Sequence, residues 1–152
     1  MHLLVRGCIF LYHVVEKREA VMPMAWVRWN ENPKEKRVGD CTVRAISKLL
    51  EMDWEWTYVA LCLQGLMMCD MPSANAVWGE FLRNMGYRRG LAEQACGECM
   101  TVEAFCEAYP TGKYLLALSG HVVTVIDGDY YDSWDSGQEL PIYYWTKERK
   151  ER

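Results

Sequence analysis

Histidine is scarce in this chain: three in 152 residues, at positions 2, 13 and 121. The first two precede the patterned body, so any imidazole chemistry in that body falls to His121. A run of about 20 apolar residues, the length a membrane-crossing helix needs, is missing. The nearest approach, "MHLLVRGCIFLYHVVEKREAV", is split by Arg6, ends in charge and lacks the Lys/Arg-rich opening of a secretory signal. Residues 1–24 are therefore read as an N-terminal extension. It is either an added helix or strand, or sequence ahead of a start at Met22 or Met24. No membrane is expected as a partner. A basic excess is also missing. The net charge is −4 and the pI about 5.4, which argues against a general nucleic-acid binder. No internal repeat is visible. Nor is there an even set of cysteines. Seven occur, at 8, 41, 62, 69, 96, 99 and 106, and several fall inside apolar helical patterns. A secreted disulfide framework prefers an even, loop-rich set, so we expect mostly free thiols in a reducing cytoplasm.

What is present describes a globular domain. Hydrophobic residues make up 51% and charged residues 25%, a balance that builds a core rather than a disordered chain. The length suits one domain. Seven tryptophans and nine tyrosines are enough to fill the core and line a groove as well.

Helical spacing dominates the first two thirds. Asp40 is a candidate N-cap, and Val43, Ile46, Leu49 and Leu50 recur behind it, so a helix is predicted from Cys41 to about Glu51. Asp53 can cap a second helix, "WEWTYVALCLQGLMMC". That helix is apolar on most sides, as a buried or groove-lining helix would be. A third follows a cap at Ser73 or Asn75 and stops at Gly86. "RRGLAEQACGECM" reads as a loop, and Thr101 caps a short fourth helix, "VEAFCEAY". The pattern then changes to Val, Ile, Tyr and Trp with turns between runs. Strands are predicted at 113–118, 121–126, 129–134 and 141–145, with Asp127-Gly128 as a hairpin turn. Helices followed by an antiparallel sheet make an α+β fold. The domain is bounded at 25–146, and 147–152 forms a charged tail.

Cys41 opens the first helix, and His121 opens a central strand. A free thiol titrates at about 8.5 and is mostly protonated at neutral pH, whereas the thiolate is the attacking species. A helix N-terminus favours the anion by about 0.3–1 kcal/mol. An imidazolium in contact does more, and it can then protonate a leaving amine. A third group must orient the imidazole. With a two-residue Asp-Gly turn, His121 sits opposite Trp134, and Asp132 is its neighbour on the same face. A bulge would bring Asp135 there instead. Register alone leaves both open. "CGEC" at 96–99 with Cys106 raises zinc. A structural site wants four ligands, and Cys62 or Cys69 would have to complete the set. We expect no metal and no cofactor.

The order "GDC" plus helix "TVRAISKLL", then "GHVVTVIDGDYYDSWD", resembles papain-like cysteine peptidases, in particular small bacterial and phage members and the bacteriocin-processing peptidases of ABC transporters. "DSW" at 132–134 is similar to the "NSW" of papain, whose first residue orients the histidine. The resemblance covers about residues 25–145. It implies a helical half packed on a sheet half, a Cys41–His121–Asp132 triad, and hydrolysis of a peptide or isopeptide bond through an acyl-thioester. The expected partner is a protein or peptide substrate. The same triad serves deamidases, transglutaminases and acyltransferases. The papain-like peptidases this chain resembles usually carry a glutamine six residues before the cysteine as oxyanion donor, where it has Glu35. Asn32 is the expected substitute, its amide facing the Cys41 sulfur. Glu35 in place of that donor also fits a non-catalytic binding module on the same fold.

Overall fold

The computed structural model describes residues 24–92 and 100–147. Within them a mixed α+β architecture forms, with four helices and a six-stranded mixed sheet. The elements in chain order are β1 (Trp26–Arg28), α1 (Cys41–Leu50), α2 (Trp54–Met68), α3 (Asn75–Asn84), β2 (Arg88–Leu91), α4 (Val102–Ala108), β3 (Lys113–Leu118), β4 (His121–Ile126), β5 (Asp129–Asp132) and β6 (Tyr143–Thr146). Among the described residues no helix is long and apolar enough to cross a membrane. The extension at 1–23 and the end of the charged tail lie outside the described residues.

The sheet runs β1-β5-β4-β3-β6-β2, and its pleat sends alternate residues of each strand into two separate cores. Leu115, Ala117 and Val122 join Ile46, Leu49, Leu61, Trp78 and Leu82 beneath α1, α2 and α3. Leu116, Leu118, Val123, Val125 and Tyr130 join Val102, Phe105 and Cys106 beneath α4. Helix α1 is the most enclosed, with seven of its ten residues buried. It lies along β4, and the Thr124 hydroxyl donates to its Ala45 carbonyl at 2.6 Å. That bond satisfies a buried polar side chain and fixes the height of α1 on the sheet.

Two tight turns set the register that matters for the site. Leu118 pairs with His121, so Ser119 and Gly120 alone close the β3–β4 hairpin. Ile126 pairs with Asp129, and the intervening Asp127 and Gly128 have φ of 49° and 86°. Positive φ at both positions is the type I′ geometry that Asp-Gly favours.

Four expectations need correction. The sheet is not purely antiparallel, because β1 pairs in parallel with β5. The first part of the segment read as a loop, Arg88–Leu91, is an edge strand on β6. Gly90 permits this, since a Cβ there would lie 2.4 Å from the Tyr144 ring. Helix α2 buries only Thr57, Leu61, Gln64 and Gly65. Its outer face leaves Trp56, Leu63, Leu66 and Met67 exposed, so uniform apolarity did not mean burial. Finally, neither Asp40 nor Asp53 makes a side-chain cap bond, and Ala74 rather than Ser73 or Asn75 is the N-cap of α3. Thr101 does cap α4, accepting from the Ala104 N–H at 3.1 Å.

Candidate active site

Cys41 is the first residue of α1, and the first helical bond is made by the Arg44 N–H to the Asp40 carbonyl. The N–H groups of the first turn therefore have no acceptor within the helix. The Asp40 side chain, which would normally cap such a turn, points elsewhere. Its carboxylate accepts from Arg44 Nη1 at 2.5 Å, from Asn32 Nδ2 at 3.1 Å and from Trp54 Nε1 at 3.0 Å. Asp40 thus joins the incoming loop, α1 and α2 into one buried knot at the start of α1. A buried carboxylate is tolerable only when paired and hydrogen-bonded in this way.

His121 and Asp132 are brought together by the β4–β5 register. Asp132 faces Val123, one step diagonal to His121. The His121 Nε2–H donates to Asp132 Oδ2 at 2.6 Å. Oδ2 also accepts from the Ser136 hydroxyl at 2.7 Å, and Oδ1 from the Ser133 N–H at 2.7 Å. The backbone carbonyl of Asp132 takes the Trp29 N–H at 2.8 Å and Trp26 Nε1 at 3.2 Å. Asp132 is thus held from both sides, by β1 and by the turn after β5. Asp135 spends its carboxylate elsewhere. It accepts from the Tyr130 hydroxyl at 2.6 Å and the Gly137 N–H at 3.2 Å. Continued past β5, the register sets Trp134 against His121, and the two rings lie 5.3 Å apart.

With Nε2 on Asp132, Nδ1 is the ring nitrogen left without a partner among the described residues, and Cys41 and His121 line one cleft, close enough to shift each other's protonation. The consequences for protonation are opposite on the two partners. Burial pushes the Cys41 thiol up, but His121 and its positive charge, with smaller help from Thr42 and the Val122 backbone, bring it below its ordinary value. Burial pulls His121 down, yet the bond to Asp132, then Cys41, and the negative charge of both partners raise it to about 9. The pair titrates as a unit, and both directions move the balance toward a thiolate beside an imidazolium.

The pair opens on a cleft of about 1080 Å³. Its rim includes Asn30, Glu35 and Trp134. Asn32 does not face the sulfur as expected. Its Nδ2 is committed to Asp40, and its Oδ1 accepts from the Lys34 and Lys36 N–H groups at 3.1 and 3.3 Å. That is an Asx-type turn ahead of Lys34, enclosed within the loop. Glu35 is exposed at the rim, in a left-handed backbone conformation with φ of 50°. The amide that does line the cleft is Asn30. Its Oδ1 accepts from the Asn32 N–H at 3.3 Å, which leaves its Nδ2 without a partner among the described residues.

Three positions at the candidate site escaped the sequence reading. Ser136 carries no local signal beyond its place in "DSWDS". Asn30 was passed over for the asparagine two residues on. Asp40 was read as a cap because local patterns show only local partners. Of the cysteines considered for zinc, Cys96 and Cys99 lie outside the described residues. Among the described residues no group of three His, Cys, Asp or Glu side chains is placed to hold a metal. No protein-family model, curated protein or solved structure matches the chain.

Proposed function

We propose that the chain is a papain-like cysteine hydrolase that cleaves a peptide or isopeptide bond, with Cys41 as nucleophile, His121 as acid and base, and Asp132 as orienting group. The observation that carries this reading is the His121–Asp132 bond beside a thiol that opens a helix, with Cys41 and His121 lining one cleft. The Cys41 thiolate attacks the scissile carbonyl carbon, and the carbonyl π electrons move to oxygen. The backbone N–H of Cys41 and the Asn30 amide are the donors suited to that oxyanion. The imidazolium gives its proton to the leaving nitrogen, the C–N bond breaks, and an acyl-thioester remains. Neutral His121 then takes a proton from water as the water oxygen attacks the thioester. The C–S bond breaks, releasing a carboxylic acid and the thiolate. An amine in place of water gives the acyltransferase or transglutaminase outcome by the same steps, and a glutamine side-chain amide as substrate gives the deamidase outcome. We place the protein in the cytoplasm, where a thiol nucleophile stays reduced.

Rapid, single-site modification by iodoacetamide at pH 6, mapped to Cys41 by mass spectrometry, tests the ion pair. Cleavage of a peptide library that Cys41→Ala does not cleave tests the hydrolase. A second reading, a binding module that keeps the fold without turnover, draws support from exposed Glu35 at the cleft rim and from the commitment of Asn32 to Asp40. Under it, Cys41 reacts no faster than exposed Cys69.

A further inference from the structure

The chain as a whole is acidic, with a net charge of −4, but the rim of the Cys41 cleft is not. Arg28, Lys36, Arg37 and Arg44 line it against a single carboxylate, that of Glu35. Arg44 is neutralised by Asp40 at the start of α1. Arg28, Lys36 and Arg37 are exposed, and no ion pair joins any of them to another described residue. Such a local reversal of sign is costly to maintain through self-repulsion and is what a steering surface for an anion requires.

The cations are held in place rather than merely nearby. Arg28 ends β1 in direct register with Asp132, so it is one strand away from the orienting carboxylate. Lys36 and Arg37 lie on the loop between β1 and α1. That loop is clamped by buried Asn32, whose Oδ1 holds the Lys36 N–H and whose Nδ2 is held by buried Asp40. A pinned backbone lowers the cost of presenting two flexible side chains to a ligand.

We propose that this rim selects an acidic peptide segment, with carboxylate side chains flanking the bond presented to Cys41. The inference rests on the acyl-transfer reading above, because a thiolate beside an imidazolium acts on an acyl carbon and a polynucleotide backbone offers none. Glu35 points the same way. A carboxylate next to Lys36 and Arg37 interrupts the unbroken basic track that a phosphate backbone follows, but leaves separate cationic points for single carboxylates.

Two measurements decide it. The first compares alkylation of Cys41 by iodoacetate and by iodoacetamide, reagents of like size that differ in charge. Each forms a C–S bond and expels iodide. The rate ratio in the native protein should exceed that of a free thiol such as glutathione. It should fall about tenfold in Arg28→Glu and in Lys36→Glu/Arg37→Glu, within the range of electrostatic steering, while the iodoacetamide rate changes little. The second uses Cys41→Ala and fluorescence anisotropy with three probes: a Glu-rich peptide, its Gln-matched counterpart and a single-stranded oligonucleotide of equal charge. The Glu-rich peptide should bind most tightly, and both charge reversals should abolish its advantage. An unchanged alkylation ratio in both variants overturns the proposal, as does tighter binding of the oligonucleotide or equal affinity for the two peptides. Slow iodoacetamide labelling at pH 6 removes the hydrolase reading instead, and the anisotropy comparison still decides the charge preference.

Discussion

Two cysteines on opposite faces of the sheet make the sharpest contrast in this molecule. Cys41 opens α1 above one core, and Cys106 sits inside α4 above the other. Cys106 is buried and Cys41 is half-buried at the cleft, and burial pushes both thiols up. At Cys106 nothing opposes it. The residue is 1% exposed among Val102, Phe105 and Val125, and the charges that reach it, from Asp129, Glu103 and Glu107, are negative, so it rises to about 12. At Cys41 a single imidazolium reverses the sign. Burial does not make a thiol inert or reactive. Burial raises the stakes, and the nearest charge decides the direction.

The most severe way to break the contrast is to remove each thiol. Cys41→Ala is expected to abolish peptide cleavage and the fast alkylation at pH 6. Cys106→Ala should leave cleavage intact and cost about 1 kcal/mol through the small void it leaves, measured by urea unfolding. Fast labelling at Cys106 in the folded protein would invert the comparison. The next largest effect comes from cutting the His121–Asp132 bond. Asp132→Ala leaves the His121 ring unheld and is expected to lower turnover by about 10²–10⁴-fold. It also removes the leading influence that raises His121. The imidazole should therefore titrate well below about 9, read from its ring-proton shift against pH by NMR.

A smaller effect separates two neighbouring asparagines. Asn30→Ala should reduce turnover by about 10²-fold, as loss of one oxyanion donor does, with little change in KM or in stability. Asn32→Ala should do the reverse. It takes a donor from buried Asp40 and is expected to cost about 1–3 kcal/mol, with turnover of the folded fraction near that of the parent. Steady-state kinetics alongside denaturant titration distinguishes the two.

The smallest expected effect is in the pH dependence of stability. His121 binds its proton more tightly folded than unfolded, about 9 against an ordinary 6.5. Its contribution is therefore fully present below about pH 6.5 and is lost as pH rises through about 9. Cys41 is lowered on folding, so its contribution is present above the ordinary thiol value and is lost as pH falls through the lowered one. Over the window between, the two slopes oppose each other. Cys41→Ala removes the opposing thiol slope and also the thiol's share of the rise at His121, so the variant should lose stability as pH rises above about 6.5 more steeply than the parent, with the loss complete below about pH 9. Urea titrations across that range, referenced to Cys41→Ala/His121→Ala, check this. Parallel curves for parent and variant would show that the thiol and imidazole are not coupled.

Much of the site was legible because it depends on local rules. Helix α1 announces itself by Val43, Ile46, Leu49 and Leu50 at helical spacing. Asp127-Gly128 favours a two-residue turn, and with that turn period-2 alternation carries His121 and Asp132 to one face, while a bulge would have brought Asp135 there. The parts that were missed depend on distant partners. Strands β1 and β2 have three and four residues and include arginines and a glycine. They are strands only because β5 and β6 offer them free edges.

By itself, then, the sequence determined the α1 helix with Cys41 at its start, the tight hairpin that carries His121 toward the Asp132–Asp135 segment, and the scarcity of histidine that leaves one candidate imidazole. These follow from backbone preferences over a few residues, which no remote contact needs to supply. The choice of Asp132 over Asp135 came with the folded register. Only the tertiary structure decided that Asp40 ties Asn32, Arg44 and Trp54 together instead of capping its own helix. It alone turned Asn30 rather than Asn32 toward the cleft, and it gathered Arg28 with Lys36 and Arg37 at the rim. A buried carboxylate takes the donors that folding brings to it, because leaving any of its oxygens unpaired away from water costs more than a local cap returns.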